Sequence, residues 1–153
     1  MTPVRLRDSY SSLSASLTSL KEGQQRPATY KFALDALARE PFAPKSSLKK
    51  VFNMYSDNIY YTKGSQRANA YLGGGAVPST GQTNAYLQRN VFIDNIDLIR
   101  SELTFLSGPD SDGDEGDLLK FLADGKRSLA EYLQSCSPPE IKRAESVVAA
   151  TLK

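Results

Sequence analysis

The chain has 153 residues, 40% hydrophobic and 24% charged, the composition of an ordinary soluble globular protein and not of a disordered or collagen-like one. Nineteen basic side chains stand against 17 acidic ones, so a formal charge of +2 supplies no general attraction for nucleic acid or anionic lipid. Histidine is absent and cysteine occurs once, which removes Ser–His and Cys–His nucleophile pairs, histidine metal ligands and any intrachain disulfide. No apolar run reaches the ~18 residues of a transmembrane helix, and Met1 to Tyr10 lacks the apolar core of a secretory signal. A single domain over residues 1–153 is expected.

In chain order, Leu6, Tyr10, Leu13, Leu17 and Leu20 recur at spacings of four and three, the stripe of one helix face. Thr2 suits its N-cap, Pro3 its first turn, and Gly23 is the natural stop. Ser11, Ser12, Ser14, Ser16 and Ser19 are weak helix formers, so this helix depends on docking its leucines. Tyr30, Ala33, Leu34 and Leu37 predict a short second helix that breaks at Glu40-Pro41, because a residue before proline is pushed out of the α region. Ser46 or Ser47 suits the cap of a third, with Leu48, Val51, Phe52, Tyr55 and Ile59 buried and Tyr60 and Tyr61 at its end. Gln66 to Leu72 is expected to add two helical turns before a long loop over 73–81, where Gly73, Gly74 and Gly75 precede Pro78. The tetrapeptide Asn-Ala-Tyr-Leu stands on both sides of that loop, at 69–72 and 84–87, and is expected to cap two helices at the same end of a bundle.

Gln82 to Leu106 is the longest periodic segment. Phe92, Ile96, Ile99, Leu103 and Leu106 form one stripe; Val91, Leu98 and Phe105, seven apart, widen it, as expected of a central helix buried between two neighbours. An acidic connection over 107–117 follows, and Leu118, Leu119, Leu122, Leu129 and Leu133 predict the next helix, with Asp114 or Asp117 beside its positive N-terminal end. Gly125 inside that helix marks either a close helix crossing or a tolerated weakness. Ser137-Pro138-Pro139-Glu140 is a capping box that opens a last helix with Ile141, Ala144, Val148 and Leu152 on its face. No stretch alternates with the period of a strand. The sequence therefore predicts an all-α protein, an up-and-down bundle of four main helices with short extra helices and a long Gly/Pro loop.

Few stretches could carry chemistry. Counting from Asp110, Asp112 and Asp114 fall at the third and fifth places of a calcium loop, but Glu115 stands where that loop needs glycine and Phe121 where it needs the closing carboxylate. The stretch reads as a solvated connection, and no metal site is expected. Gly73, Gly74 and Gly75 lack the Gly-Lys-Ser/Thr continuation of a phosphate loop, so flexibility or the close approach of another chain is the better account. Asp94 and Asp97, three apart, can share a helix face. General acid–base work needs a cleft that shifts one of their pKa values, and nothing in the sequence supplies it, so an enzyme built on Asp and Tyr groups is the least favoured reading.

Lys45, Lys49 and Lys50, with Arg39 upstream, form the main basic cluster; without a long basic run or interleaved aromatics they suit acidic protein partners or solvent, not nucleic acid. Residues 1–76 hold 11 basic and 5 acidic side chains and residues 77–153 hold 8 and 12, a polarity that either steers docking or draws the halves together. Tyr55, Tyr60, Tyr61, Tyr71 and Tyr86 all fall between the third helix and the start of the long one. They are either half-buried at helix ends or a tyrosine-rich docking surface beside the glycines.

The combination of Tyr60-Tyr61, Arg67-Ala68-Asn69-Ala70-Tyr71-Leu72, the proline-bearing loop and the long helix from Tyr86 through Leu103 resembles the small helical-bundle accessory proteins of oxygenic photosynthesis. These are the extrinsic subunits of photosystem II, of the oxygen-evolving-enhancer kind, and related chloroplast linker subunits. The resemblance is one of organisation over residues 45–135, and it implies a non-catalytic protein at the lumenal face of the thylakoid that docks on a membrane complex; without it, a soluble cytoplasmic protein is expected. Composition and motifs lead separately to a non-enzymatic interaction protein, a small accessory, linker or assembly subunit without cofactor or metal. Its candidate contact residues are Tyr60, Tyr61, Arg67, Tyr71, Gly73, Gly74, Gly75 and Tyr86, with Lys45, Lys49 and Lys50. The alternative is a stand-alone regulatory or scaffold protein acting as a homodimer.

Overall fold

A computed structural model describes residues 3–19, 26–56, 80–111, 113–136 and 138–151. Among them are six helices and no strand: α1 (Pro3–Thr18), α2 (Arg26–Leu37), α3 (Lys45–Ser56), α4 (Thr80–Leu106), α5 (Gly116–Gln134) and α6 (Pro138–Thr151). The fold is all-α. Thr2, Leu20, Gly23, Ile59, the 66–72 stretch, Asp112, Ser137 and Leu152 lie outside the described residues, as do the side chains of Tyr55, Glu140 and Val148.

Helix α1 buries Leu6, Tyr10, Leu13 and Leu17, and its serines face outward or sit half-buried. Several hydroxyls turn back on the helix: Ser16 Oγ donates to Ser12 O at 3.0 Å and Thr18 Oγ1 to Ser14 O at 2.9 Å, a satisfied but weakly helix-forming surface. Helix α2 buries Tyr30, Ala33 and Leu37 and ends there, before a corner in which Glu40–Pro41 and Ala43–Pro44 are both cis. Helix α3 starts at Lys45, so Ser46 and Ser47 lie inside its first turn and do not cap it; Pro44 O accepts from Ser47 N at 3.0 Å and Leu48 N at 3.2 Å. Proline serves there because only its carbonyl is needed.

Helix α4 begins two residues before the expected Gln82 and packs against α2, α3 and α5; α1 packs against α2, α5 and α6. Phe92, Ile96, Ile99, Leu103 and Leu106 are all buried, as their spacing predicts. The second stripe departs from expectation: Val91 is half-buried, while Leu98 and Phe105 are exposed, because the helices packed on α4 cover its first stripe and leave this margin open. On α5, Leu118, Leu122, Leu129 and Leu133 are buried and Leu119 faces solvent. Asp117 lies in the first turn of α5, and Asp114 Oδ1 accepts from Gly116 N at 2.8 Å, placing negative charge at the helix start.

Four helices meet in an aromatic row. Phe92 of α4 packs edge-on to Tyr10 of α1 at 5.2 Å and tilted against Phe52 of α3 at 5.6 Å, and Phe52 meets Tyr132 of α5 edge-on at 4.6 Å. Each such pair contributes about 0.5–1.5 kcal/mol beyond the area it buries. At Gly125, Tyr10 crosses α5 so closely that its hydroxyl donates to Leu122 O at 3.0 Å. The glycine therefore marks a close helix crossing.

The acidic connection is not wholly solvated, since Tyr30 donates a hydrogen bond to Glu115 Oε1 and Arg26 Nη1 lies 3.6 Å from the same oxygen. Burial, then the bond to Glu115, pushes the Tyr30 hydroxyl up to about 12; burial raises Tyr10 further, with the charge of Asp124 adding to it. Both hydroxyls keep their protons to a higher pH in the folded chain than in the unfolded one. Their contribution is complete below pH 10 and is lost as the pH climbs from 10 through about 12. The urea midpoint is expected to fall across that interval and to fall less steeply in Tyr30→Phe; equal slopes in the two proteins would show that Tyr30 carries none of it.

Candidate functional site

Segment 57–79 holds most of the sequence-derived contact residues, and its two ends are stitched together. Gln82, near the start of α4, donates from Nε2 to Ser56 O at the end of α3 (3.2 Å) and to the hydroxyl of Tyr86 (3.2 Å). Ser56 Oγ in turn lies 3.0 Å from the hydroxyl of Tyr132, and both hydroxyls reach Phe52 O, at 3.1 and 2.6 Å. Ser56, Gln82 and Tyr132 are all buried. A buried polar network of this kind fixes one arrangement, because breaking any member strands the others away from water. Ser56 and Gln82 thus lie together at one end of the helices.

Beside this clasp stands Tyr86, half-buried, with the Arg89 guanidinium carbon 4.9 Å from its ring centroid. Arg89 also hydrogen-bonds Asn53 of α3 and Asn90. The cation–π contact, about 0.5–1 kcal/mol at an exposed site, holds the ring against the helix. Asn84-Ala85-Tyr86-Leu87 does not cap α4 as expected. It lies in the second turn, with Ala85 buried and Asn84 and Leu87 exposed. Tyr60, Tyr61, Arg67, Tyr71, Gly73, Gly74 and Gly75 lie outside the described residues.

The basic cluster divides. Lys45 Nζ sits 2.7 Å from Asp97 Oδ2 and 4.0 Å from Asp94 Oδ1, and the bond to Asp97 holds its ammonium above the ordinary lysine range. Asp97 also takes Arg100 Nη1 at 2.9 Å. Asp94 and Asp97 therefore share a face, as expected, but serve as ion-pair partners of the α3–α4 contact. Lys49 and Lys50 are exposed. Between α1 and the corner after α2 runs a groove of about 620 Å³, floored by buried Leu13 and Phe42 and edged by Phe32, Arg39 and the hydroxyls of Ser9 and Ser12. With no histidine in the chain and Cys136 buried among other residues, those hydroxyls have no imidazole or thiol beside them.

Gln82, Ser56, Tyr132 and Arg100 were not singled out by sequence reasoning. One signal was available: Gln82 stands three and ten residues before Ala85 and Phe92, on the buried face, where a polar side chain must find a partner. No family model, curated protein or solved structure matches this chain. Among the described residues, no helix is long and apolar enough to cross a membrane, and no group of three or more His, Cys, Asp or Glu is placed to hold a metal ion.

Proposed function

We propose that the protein is a non-catalytic docking module, a small accessory or assembly subunit of a larger protein complex, whose contact surface is built from segment 57–79 and Tyr86. The Ser56–Gln82 clasp supports this reading, because it holds both ends of the tyrosine- and glycine-bearing segment beside the Tyr86–Arg89 pair. In the same reading α1, α2, α4 and α5 form the ring of an up-and-down bundle, α3 continues the course of α2 along α4, and α6 lies outside against α1, an arrangement supported by the pairwise packings.

The resemblance to extrinsic photosystem subunits makes thylakoid extract the first material to try. Tagged wild-type protein is expected to retain a defined complex under gentle conditions. The combined replacement of Tyr60, Tyr71 and Tyr86 by Ser is expected to lose it, with the helical circular dichroism unchanged. Recovery of free protein only, or equal retention by the triple variant, would sink the reading.

A further inference from the structure

Helix α3 and the first half of α4 carry one sign of charge. Residues 45–56 and 80–93 hold Lys45, Lys49, Lys50 and Arg89 and no Asp or Glu. Three contacts set the two segments side by side and antiparallel: Lys45 meets Asp97, Asn53 meets Arg89, and Ser56 meets Gln82. Lys49 stands midway between Lys45 and Asn53 at spacings of four, on the line of α3 that borders α4. Lys50 and Met54 follow that line on its solvent side, both exposed, Met54 by 63%. On α4, Leu87 is 55% exposed and lies one turn from Asn90, beside the Tyr86–Arg89 pair. The carboxylates next along α4 are taken, since Lys45 and Arg100 hold Asp94 and Asp97. Among the described residues no carboxylate pairs with Lys49, Lys50 or Arg89, and Arg89 hydrogen-bonds the neutral Asn53 and Asn90.

We propose that this basic surface of α3 and α4 takes an acidic segment of a partner protein, whose apolar side chains rest on Met54 and Leu87 and whose carboxylates meet Lys49, Lys50 and Arg89. The proposal deepens the docking reading and rests on it for the place of the site, beside Tyr86. Charge selects the occupant. Cations without a carboxylate of their own attract anions and repel a second copy of the same surface. Charges at a rim add little affinity by themselves, so the segment needs apolar side chains for Met54 and Leu87 as well. Nucleic acid fits less well, because Arg89 already covers a face of the Tyr86 ring on which a base would stack. An anionic membrane calls for a cluster of about four to eight basic residues, more than the described surface offers.

Fluorescence anisotropy of a labelled peptide of repeating Glu-Leu-Glu-Ala units, titrated with the full chain, tests the surface. The peptide is expected to bind, and to bind about tenfold more weakly when salt is raised from about 0.05 to 0.5 M. Lys49→Glu with Lys50→Glu is expected to weaken binding by about tenfold, and Met54→Ser with Leu87→Ser by a similar factor. All four positions are exposed, so the circular dichroism is expected to stay unchanged. No binding up to about 1 mM overturns the proposal. So does equal binding of a Gln-Leu-Gln-Ala peptide, or tighter binding of oligouridylate or of phosphatidylserine vesicles. Retention from thylakoid extract separates this proposal from the docking reading. A complex lost by the tyrosine triple variant but kept by Lys49→Glu with Lys50→Glu leaves the docking reading standing and overturns the acidic partner.

Discussion

Gly125→Ala is expected to destabilise the protein by about 2 kcal/mol and to lower its melting temperature by about 4–8 °C. The sign is the informative part, because alanine in a helix interior ordinarily gains ~1 kcal/mol over glycine. At Gly125 a Cβ would stand 2.9 Å from Cζ of Tyr10 and closer still to its hydroxyl oxygen. The ring has no room to withdraw. It is 1% exposed, packed edge-on against Phe92 and Phe42, and hydrogen-bonded to Leu122 O. The added methyl must displace the ring or spread α1 from α5, and either movement loosens the hydroxyl's bond inside the core. Tyr10→Phe removes the atom in closest conflict, so Gly125→Ala is expected to cost less in that background. An additive double-mutant cycle from thermal or urea melts would show that the crossing is not what requires glycine.

Arg100→Met carries the second large effect, a loss of about 2–4 kcal/mol with the aliphatic stem retained. Its guanidinium donates to Leu37 O at 2.7 Å and Phe42 O at 3.1 Å while pairing with Asp97 at 2.9 Å. Leu37 ends α2, so its carbonyl lacks a helical partner, and Phe42 lies in the corner between the two prolines. One planar group on α4 thus holds the exit of α2 and the approach to α3, and hydrogen bonds to a charged donor are worth about 1.5–3 kcal/mol each. Lysine has no fork to hold Asp97 from one nitrogen and both carbonyls from another, so Arg100→Lys is expected to recover less than half of the loss. Limited proteolysis should show new cleavage within residues 38–44 of the Met variant. An unchanged digest together with an unchanged urea midpoint would remove Arg100 from this role.

Elements whose information is local were readable from sequence. The stripes Leu6–Tyr10–Leu13–Leu17 and Phe92–Ile96–Ile99–Leu103–Leu106 are buried along their lengths, since a 3.6-residue period encodes which side of a helix avoids water. Where a position lies at the margin of that side, period alone misplaced it. Leu119, Leu98 and Phe105 continue their stripes yet remain exposed, because burial at the margin depends on where the next helix stands. The distant partners, Leu37 of Arg100, Ser56 of Gln82 and Phe52 of Tyr132, were not readable at all. Each bond joins residues 26 to 80 positions apart, and no spacing within one helix records such a meeting. Gly125 lies between these cases: its misfit in a helix was visible, and Tyr10, the residue that explains it, was not.

The clasp between Ser56 and Gln82 also makes the end of α3 and the start of α4 one cooperative unit. Because Ser56, Gln82 and Tyr132 share buried hydrogen bonds, loosening one of their three helices strands polar groups on the others, so the end of α3 and the start of α4 are expected to open to hydrogen exchange together and not one after the other.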